Sequence, residues 1–172
     1  RMEQWVRERA SLNIKKSDKS HQRHPYEPCY LFESGIIPLA SYPVKGVIWY
    51  QGESNAHNKE IHEILFPLLV DSWRKNWNKE FPFYYVQLSG LNRPSWPHFR
   101  DSQRRWEKSS PGSGMAVSSD LGDSLDVHPK RKQEVGERLA RLALNKTYGK
   151  DIVPSGPQYK ESEFKNGYAL IS

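Results

Sequence analysis

Apolar residues recur along the chain in two alternating patterns, which predict strands and helices in turn. Short β-prone runs predict three strands, at Lys45–Tyr50, Phe83–Leu88 and Met115–Ser119. Helical spacing predicts helices around Glu3–Leu12 and at Asn58–Trp77, Pro97–Lys108 and Pro129–Leu144. Strands that alternate with helices predict an α/β fold with a parallel sheet covered on both faces.

Proline and glycine positions indicate where the predicted helices begin and end. Pro129 suits the first turn of the last helix, and Gly149 closes the segment beyond it. Pro67 falls inside the apolar period of a helix, where we expect a kink or a break. The ending Tyr-Ala-Leu-Ile-Ser is typical of a strand beginning. We therefore expect one domain over residues 1–158, the start of a further, truncated β-rich segment over 159–172, and a chain cut at both ends.

Composition limits the alternatives. A chain of 172 residues with 36% hydrophobic content can bury one core. The 6 Trp, 9 Tyr and 6 Phe suit a bulky core or a sugar-facing surface. The net charge of +6 is spread among acids, and the polar tract Lys15–His24 lacks interleaved aromatic residues, so no nucleic-acid partner is expected.

Cysteine and hydropathy exclude further classes. Cys29 is the only cysteine, which excludes a disulfide framework and a cysteine-rich zinc site within the chain. No apolar run approaches the length of a membrane span, and the first residues lack the apolar core of a signal peptide. We expect no membrane partner.

The segment GVIWYQGESNA, Gly46–Ala56, is the first candidate for chemistry. Its Gly-Glu-Ser-Asn-Ala fits the G-x-S-x-G pattern of hydrolases with Ala in the last place, which would make Ser54 a nucleophile. The same residues suit an ordinary capped helix start, because Ser and Asn accept hydrogen bonds from free backbone N–H groups. Local sequence leaves both interpretations open.

The ends of the three predicted strands carry polar residues: Gln51–Asn55, Gln87–Ser89 and Asp120–His128. His128 could accept a proton from a hydroxyl nucleophile, with Asp126 or Asp123 fixing its tautomer. A surface Asp-rich turn is the structural alternative. An Asp-x-His pair supplies only two metal ligands, so no metal is expected. Gln87 and Ser89 are expected to be structural.

The order of the acid and the histidine along the chain then bears on whether Ser54 is the nucleophile. In α/β-hydrolases the acid lies far before the histidine, whereas here it lies close to it. The runs GVIWYQGESNA, FPLLVDSWRKNW, FPFYYVQL and GMAVSSDLGDSLDVHPKRKQEVGERLARLAL resemble the sialate O-acetylesterase family of the SGNH-hydrolase superfamily. The similarity extends from about Tyr30 to Tyr159.

The resemblance implies a three-layer, flavodoxin-like α/β sandwich that is incomplete in this chain. It implies a nucleophilic serine in an early Gly-Gln-Ser-Asn segment, which has no counterpart in Arg1–Ser172. It assigns the base to His128 and the oxyanion or substrate loop to Gln51, Gly52, Glu53 and Asn55, with Gln51 and the Gly52 N–H preferred as donors. Leu125 occupies the usual place of the acid, so Asp126 is the nearest carboxylate and Asp123 the reserve.

By resemblance, the intact protein is expected to remove O-acetyl groups from sugars through an acetyl-serine, without a cofactor. Sialic acid is the family's named substrate; acetylated xylan or another polysaccharide is the alternative, and a non-catalytic sugar-binding module is the alternative of another class. The serine is expected in a missing N-terminal segment or a companion chain, which leaves this chain alone inactive. Export to a periplasm, lysosome or the exterior follows from the resemblance only.

Overall fold

The computed structural model describes residues 27–172. The predicted helix around Glu3–Leu12 and the tract Lys15–His24 lie outside the described residues. The described chain divides into two compact units, the smaller made of residues 27–44 and 71–79, the larger of 45–70 and 80–172. None of the helices in residues 27–172 has both the length and the apolar character that a bilayer crossing requires.

The smaller unit joins two separate stretches of chain. It contains a π-helical turn at Phe32–Ile36 and a 3₁₀ turn at Ile37–Leu39. The Trp77 indole N–H donates to the Tyr42 carbonyl at 2.9 Å, and the Lys79 ammonium donates to the Val44 carbonyl at 2.7 Å. These two bonds tie the end of a helix to the preceding loop.

The larger unit contains the predicted parallel sheet. Its strands are β1 (Val47–Trp49), β2 (Phe83–Val86) and β3 (Ser113–Ala116), in the order β1-β2-β3. The helices are α1 (Lys59–Trp77), whose last residues belong to the smaller unit, α2 (Trp96–Ser109) and α3 (Lys132–Leu142), which continues as a π-helical turn at Ala143–Thr147. A hairpin of β4 (Ser162–Lys165) and β5 (Tyr168–Ile171) follows.

Alternation along β2 sends its side chains to two helical layers. Phe83 and Tyr85 contact Phe66 of α1, with ring centroids 5.8 and 5.4 Å away, and Tyr85 lies 5.1 Å from the Trp106 ring of α2. Tyr84 and Val86 point the other way and pack with buried residues of α3: Val135, Leu139 and Leu142. Two helices on one face and one on the other make three layers, which confirms the predicted α/β class.

Side chains close the outer edge of β3. The Glu107 carboxylate accepts a hydrogen bond from the Met115 N–H at 3.0 Å, and the Lys146 ammonium donates to the Ser113 carbonyl at 3.1 Å. Arg138 donates to the Val117 carbonyl at 2.7 Å. Three backbone groups that another strand could pair are thus bonded to side chains, which disfavours strand addition at this edge.

Several predicted details differ. Of the kink or break predicted at Pro67, the break is wrong, because helix α1 runs through Pro67 as one element. Packing of the buried Phe66 and Val70 stabilises the helix although Pro67 cannot donate its hydrogen bond. Helix α3 begins at Lys132, after Pro129 rather than with it. Gly149, with φ +64°, ends the segment as predicted. Strand β5 confirms the predicted final strand, while its partner β4 was not predicted.

Candidate active site

The carboxyl ends of β1, β2 and β3 lie side by side, because the three strands are parallel. Each strand leads into a polar loop: residues 50–58 after β1, 87–95 after β2 and 117–131 after β3. In open α/β sheets this edge is where ligands bind. All the residues predicted for the site lie on the first and third loops.

Hydrogen bonds join the second and third loops. The Asn92 N–H donates to the Ser124 carbonyl at 3.0 Å, and the buried Ser118 hydroxyl donates to the Gln87 carbonyl at 2.5 Å. The Gln87 amide in turn donates to the Arg100 carbonyl, at 3.2 Å. Gln87 therefore supports the loops, as a structural residue would.

A small apolar cluster lies beneath all three loops. Ala56, Leu88, Trp96 and Phe99 are buried together, with Leu91 and Val127 packed against them. The Trp96 indole N–H donates to the Ser89 carbonyl at 2.9 Å, which gives that buried polar end a partner. Because Val127 belongs to the cluster, the backbone beside His128 is anchored to the core.

The first loop turns sharply at Gly52. Gly52 has φ +147°, and a Cβ there would lie 3.0 Å from the Phe99 ring and 3.4 Å from Leu88. Both the backbone angle and the space therefore require glycine. A 3₁₀ turn follows at Glu53–Asn55, closed by the Asn55 N–H on the Gly52 carbonyl at 2.9 Å.

The donors predicted for the oxyanion differ in what they already bind. Within residues 27–172, neither the Gln51 side chain nor the Gly52 N–H makes a hydrogen bond. The Asn55 amide nitrogen already lies 3.2 Å from Nδ1 of His62. Of the predicted donors, Gln51 and Gly52 are thus the two without a competing hydrogen-bond partner in the described part of the chain.

His128 and Asp126 lie together on the third loop. The Asp126 carboxylate accepts the backbone N–H of His128 at 2.9 Å, and the same oxygen lies 3.6 Å from Nδ1 of the His128 ring. That distance is within ion-pair range and longer than a hydrogen bond. The His128 side chain is 86% exposed, so its other ring nitrogen is open to solvent.

The other two aspartates of this loop have structural partners. Asp123 accepts the Leu125 N–H at 2.8 Å, which closes a local turn. Asp120 pairs with Arg138 through two hydrogen bonds of 2.6 Å, and this guanidinium lowers the pKa of the Asp120 carboxyl. Asp126 is the carboxylate nearest the His128 ring.

One cleft of about 480 Å³ brings the first and third loops together. Its lining residues are Tyr50, Glu53, Ser54, Arg93, Val127, His128 and Lys132. Lys132 lies over the Tyr50 ring at 4.4 Å from its centroid and donates to its hydroxyl at 3.3 Å. Neither Arg93 nor Lys132 was predicted: Arg93 lies outside the quoted runs, Lys132 is one of several basic residues in its run, and only the fold brings them beside His128.

Ser54 shares this cleft but lacks the geometry of a nucleophile elbow. That motif places serine on a strained turn leading directly from strand to helix. Ser54 lies within the 3₁₀ turn, has an ordinary negative φ, and precedes α1 by a further loop. No hydrogen bond joins Ser54 to His128.

No cluster of three or more His, Cys, Asp or Glu residues suited to a metal occurs in the described part of the chain. The chemistry that these residues can perform is proton transfer at His128 and hydrogen bonding from the first loop. A hydroxyl nucleophile placed between them would have a base on one side and amide donors on the other.

Known proteins are similar to this chain in sequence and in fold. The family described as carbohydrate esterase, sialic acid-specific acetylesterase, matches residues 13–145. The chain is 31% identical to the sialate O-acetylesterase of Mus musculus and 32% identical to that of Homo sapiens, over 86% of the chain in each case. It covers 32% and 33% of those proteins, about a third of their length.

A solved structure agrees with the sequence matches. The crystal structure of a carbohydrate acetylesterase from Xanthomonas citri superposes with a TM-score of 0.71 and 36% identity, over 78% of this chain and 33% of that one. The matches confirm the resemblance carried by the runs around Gln51 and His128. The chain belongs to the sialic acid-specific acetylesterase family of carbohydrate esterases.

Proposed function

We propose that the protein to which this chain belongs hydrolyses O-acetyl esters of sugars through an acetyl-serine intermediate. The observation that carries the proposal is the cleft that His128, with Asp126 beside it, lines together with Glu53 and Ser54 of the turn that follows Gly52. Acyl transfer requires a proton acceptor and amide donors without a competing partner, and the two loops that meet at this cleft supply both.

In the proposed reaction, the exposed nitrogen of His128 takes the proton of a serine hydroxyl as its oxygen attacks the acetyl carbon. Negative charge then develops on the former carbonyl oxygen, where the Gln51 amide and the Gly52 N–H donate. Each such donor lowers the barrier by about 3 kcal/mol. The sugar oxygen leaves with the proton held by His128, and water, activated by the same histidine, releases acetate from the serine.

Asp126 is proposed to accept a hydrogen bond from Nδ1–H of His128 and to stabilise the imidazolium. The 3.6 Å separation needs only a small ring movement to become such a bond. Glu53 also lines the cleft, and its carboxylate can accept hydrogen bonds from sugar hydroxyls but cannot donate to an oxyanion. Its proposed role is therefore substrate binding.

The attacking serine is proposed to come from outside residues 1–172, in another segment or a companion chain. The ordinary backbone of Ser54 and its lack of a bond to His128 support this. Export to a periplasm, lysosome or the exterior is part of the same proposal and rests on family membership alone.

The cations of the cleft favour an acidic sugar, such as an O-acetylated sialic acid, over neutral acetylxylan. Neither Arg93 nor Lys132 has a carboxylate partner within the described residues. Glu53 contributes one negative charge to the same lining. Two cations without a carboxylate partner, against one carboxylate, leave the cleft able to attract a sugar carboxylate.

Acetate release from O-acetylated sialic acid and from acetylated xylan tests the function. We expect the natural protein to release acetate faster from the sialic acid, and a His128→Ala variant to retain only a trace of the rate. Binding of either sugar with no acetate release would support a non-catalytic sugar-binding module instead. Faster acetate release from xylan would indicate that the substrate is a neutral polysaccharide.

A further inference from the structure

His62 is a buried histidine that the proposed reaction does not use. It lies near the start of α1 with 6% of its surface exposed. Its ring stacks on Phe66 at 5.3 Å between centroids and meets Phe99 at 4.6 Å. Its only side-chain hydrogen bond within the described residues joins Nδ1 to the Asn55 amide nitrogen at 3.2 Å.

The chemistry of this bond fixes the state of the imidazole. An amide nitrogen can only donate, so Nδ1 of His62 must accept and cannot carry a proton. Burial lowers the pKa of His62, and the neighbouring Glu63 opposes that effect only in part. Across the cleft that the ring lines, Arg105 of α2 is paired with both Asp101 and Glu63. The surroundings therefore favour the uncharged ring.

The bond reaches the part of the first loop that the proposed reaction uses. Asn55 ends the 3₁₀ turn that Gly52 begins, and the turn is closed between these two residues. The Phe99 ring touches His62 and also fills the space where a Cβ of residue 52 would lie. His62 and Phe99 thus hold the two ends of one turn.

We propose that uncharged His62 is a positioning residue, which orients Asn55 and so holds the Gly52–Asn55 turn with its N–H donors toward the reacting ester. The inference rests on the proposed function, since it assigns His62 to the same site. A misplacement of such donors by about 1 Å costs on the order of a hundredfold in rate. His62 itself need not touch the substrate.

Two variants in the natural protein separate positioning from packing. His62→Phe keeps a ring between Phe66 and Phe99 and removes the acceptor. His62→Asn removes the ring and keeps an acceptor oxygen close to the place of Nδ1. We expect His62→Phe to lower kcat about thirtyfold to a hundredfold with a small change in Tm and KM. We expect His62→Asn to lower Tm and to retain most of kcat.

A readout independent of activity keeps the inference separate from the proposed function. In ¹H–¹⁵N spectra, the backbone amides of Gly52 and Asn55 should shift in His62→Phe and stay near their native positions in His62→Asn. If the natural protein releases no acetate, the proposed function fails while these shifts still test the link from His62 to the turn. Unshifted Gly52 and Asn55 amides in His62→Phe, or a kcat that follows Tm in both variants, would overturn the inference.

Discussion

Gly122 of the third loop packs directly against Gly90 of the second. A Cβ built on Gly122 would overlap the Gly90 nitrogen and lie 2.5 Å from its carbonyl oxygen. Backbone therefore touches backbone at this point, and any side chain at position 122 would push the loops apart. The loop that carries Asp126 and His128 takes its position from this contact.

Gly122→Ala should therefore displace the third loop. The atoms that a Cβ meets are backbone, which cannot rotate away, so we expect a loss of about 1–3 kcal/mol in the free energy of unfolding, together with reduced kcat. Gly136→Ala is the matched control. Nothing lies within 4 Å of a Cβ there, and alanine in the exposed helix should add about 0.4–1 kcal/mol. Urea unfolding measures both changes. A Gly122→Ala variant with the native free energy of unfolding and kcat would refute the contact between Gly122 and Gly90.

Asp126→Asn should lower kcat by a factor on the order of thousands, because an amide cannot stabilise the His128 imidazolium. Its oxygen can still accept the His128 backbone N–H, so the circular dichroism spectrum and Tm should change little. Asp123→Asn keeps the acceptor for the Leu125 N–H and should leave kcat near normal. A large loss of kcat at Asp123 with none at Asp126 would reverse the assignment.

Gln51→Ala should lower kcat by about a hundredfold with little change in KM, as expected for a donor used mainly in the transition state. Steady-state kinetics on an acetylated sugar would measure kcat and KM separately. A variant with normal kcat and a lower Tm would instead make Gln51 a structural residue of the loop.

Lys132→Met removes the ammonium and keeps most of the side chain over Tyr50. We expect kcat/KM to fall about fivefold to tenfold on an acidic acetylated sugar, as loss of roughly 1 kcal/mol implies. On a neutral acetylated sugar, kcat/KM should stay within twofold. Lys130→Met, two residues away and outside the cleft, serves as the control. An equal fall on both sugars would refute a role for Lys132 in recognising the charge.

Local sequence predicted the parts of the fold that local forces determine. The β2 run Phe83–Val86 is apolar and buried throughout, and α3 has its apolar residues at helical spacing, so both were found. The start of β3 was missed because Ser113 and Gly114 have low strand propensity and become strand by pairing with Phe83 and Tyr84. Exposed β4 forms only through its pairing with β5.

The candidate site also contains some residues that local sequence predicts and others that only the fold brings together. The residues around Gln51 and His128 were predicted because each lies in a continuous, distinctive run. His62 was missed because its burial depends on Phe99, a residue of another helix, and its partner Asn55 is identified only in three dimensions. Arg93 comes from the loop after β2 and Lys132 from the start of α3, and their charges combine only when the sheet aligns the strand ends.

Labelling with a fluorophosphonate serine probe tests the central claim most directly. In the natural protein, mass spectrometry should locate the adduct on a serine outside residues 1–172, and His128→Ala should slow labelling strongly, because the probe reacts with a serine that this histidine activates. An adduct on Ser54, or labelling that proceeds at the native rate without His128, would contradict the account.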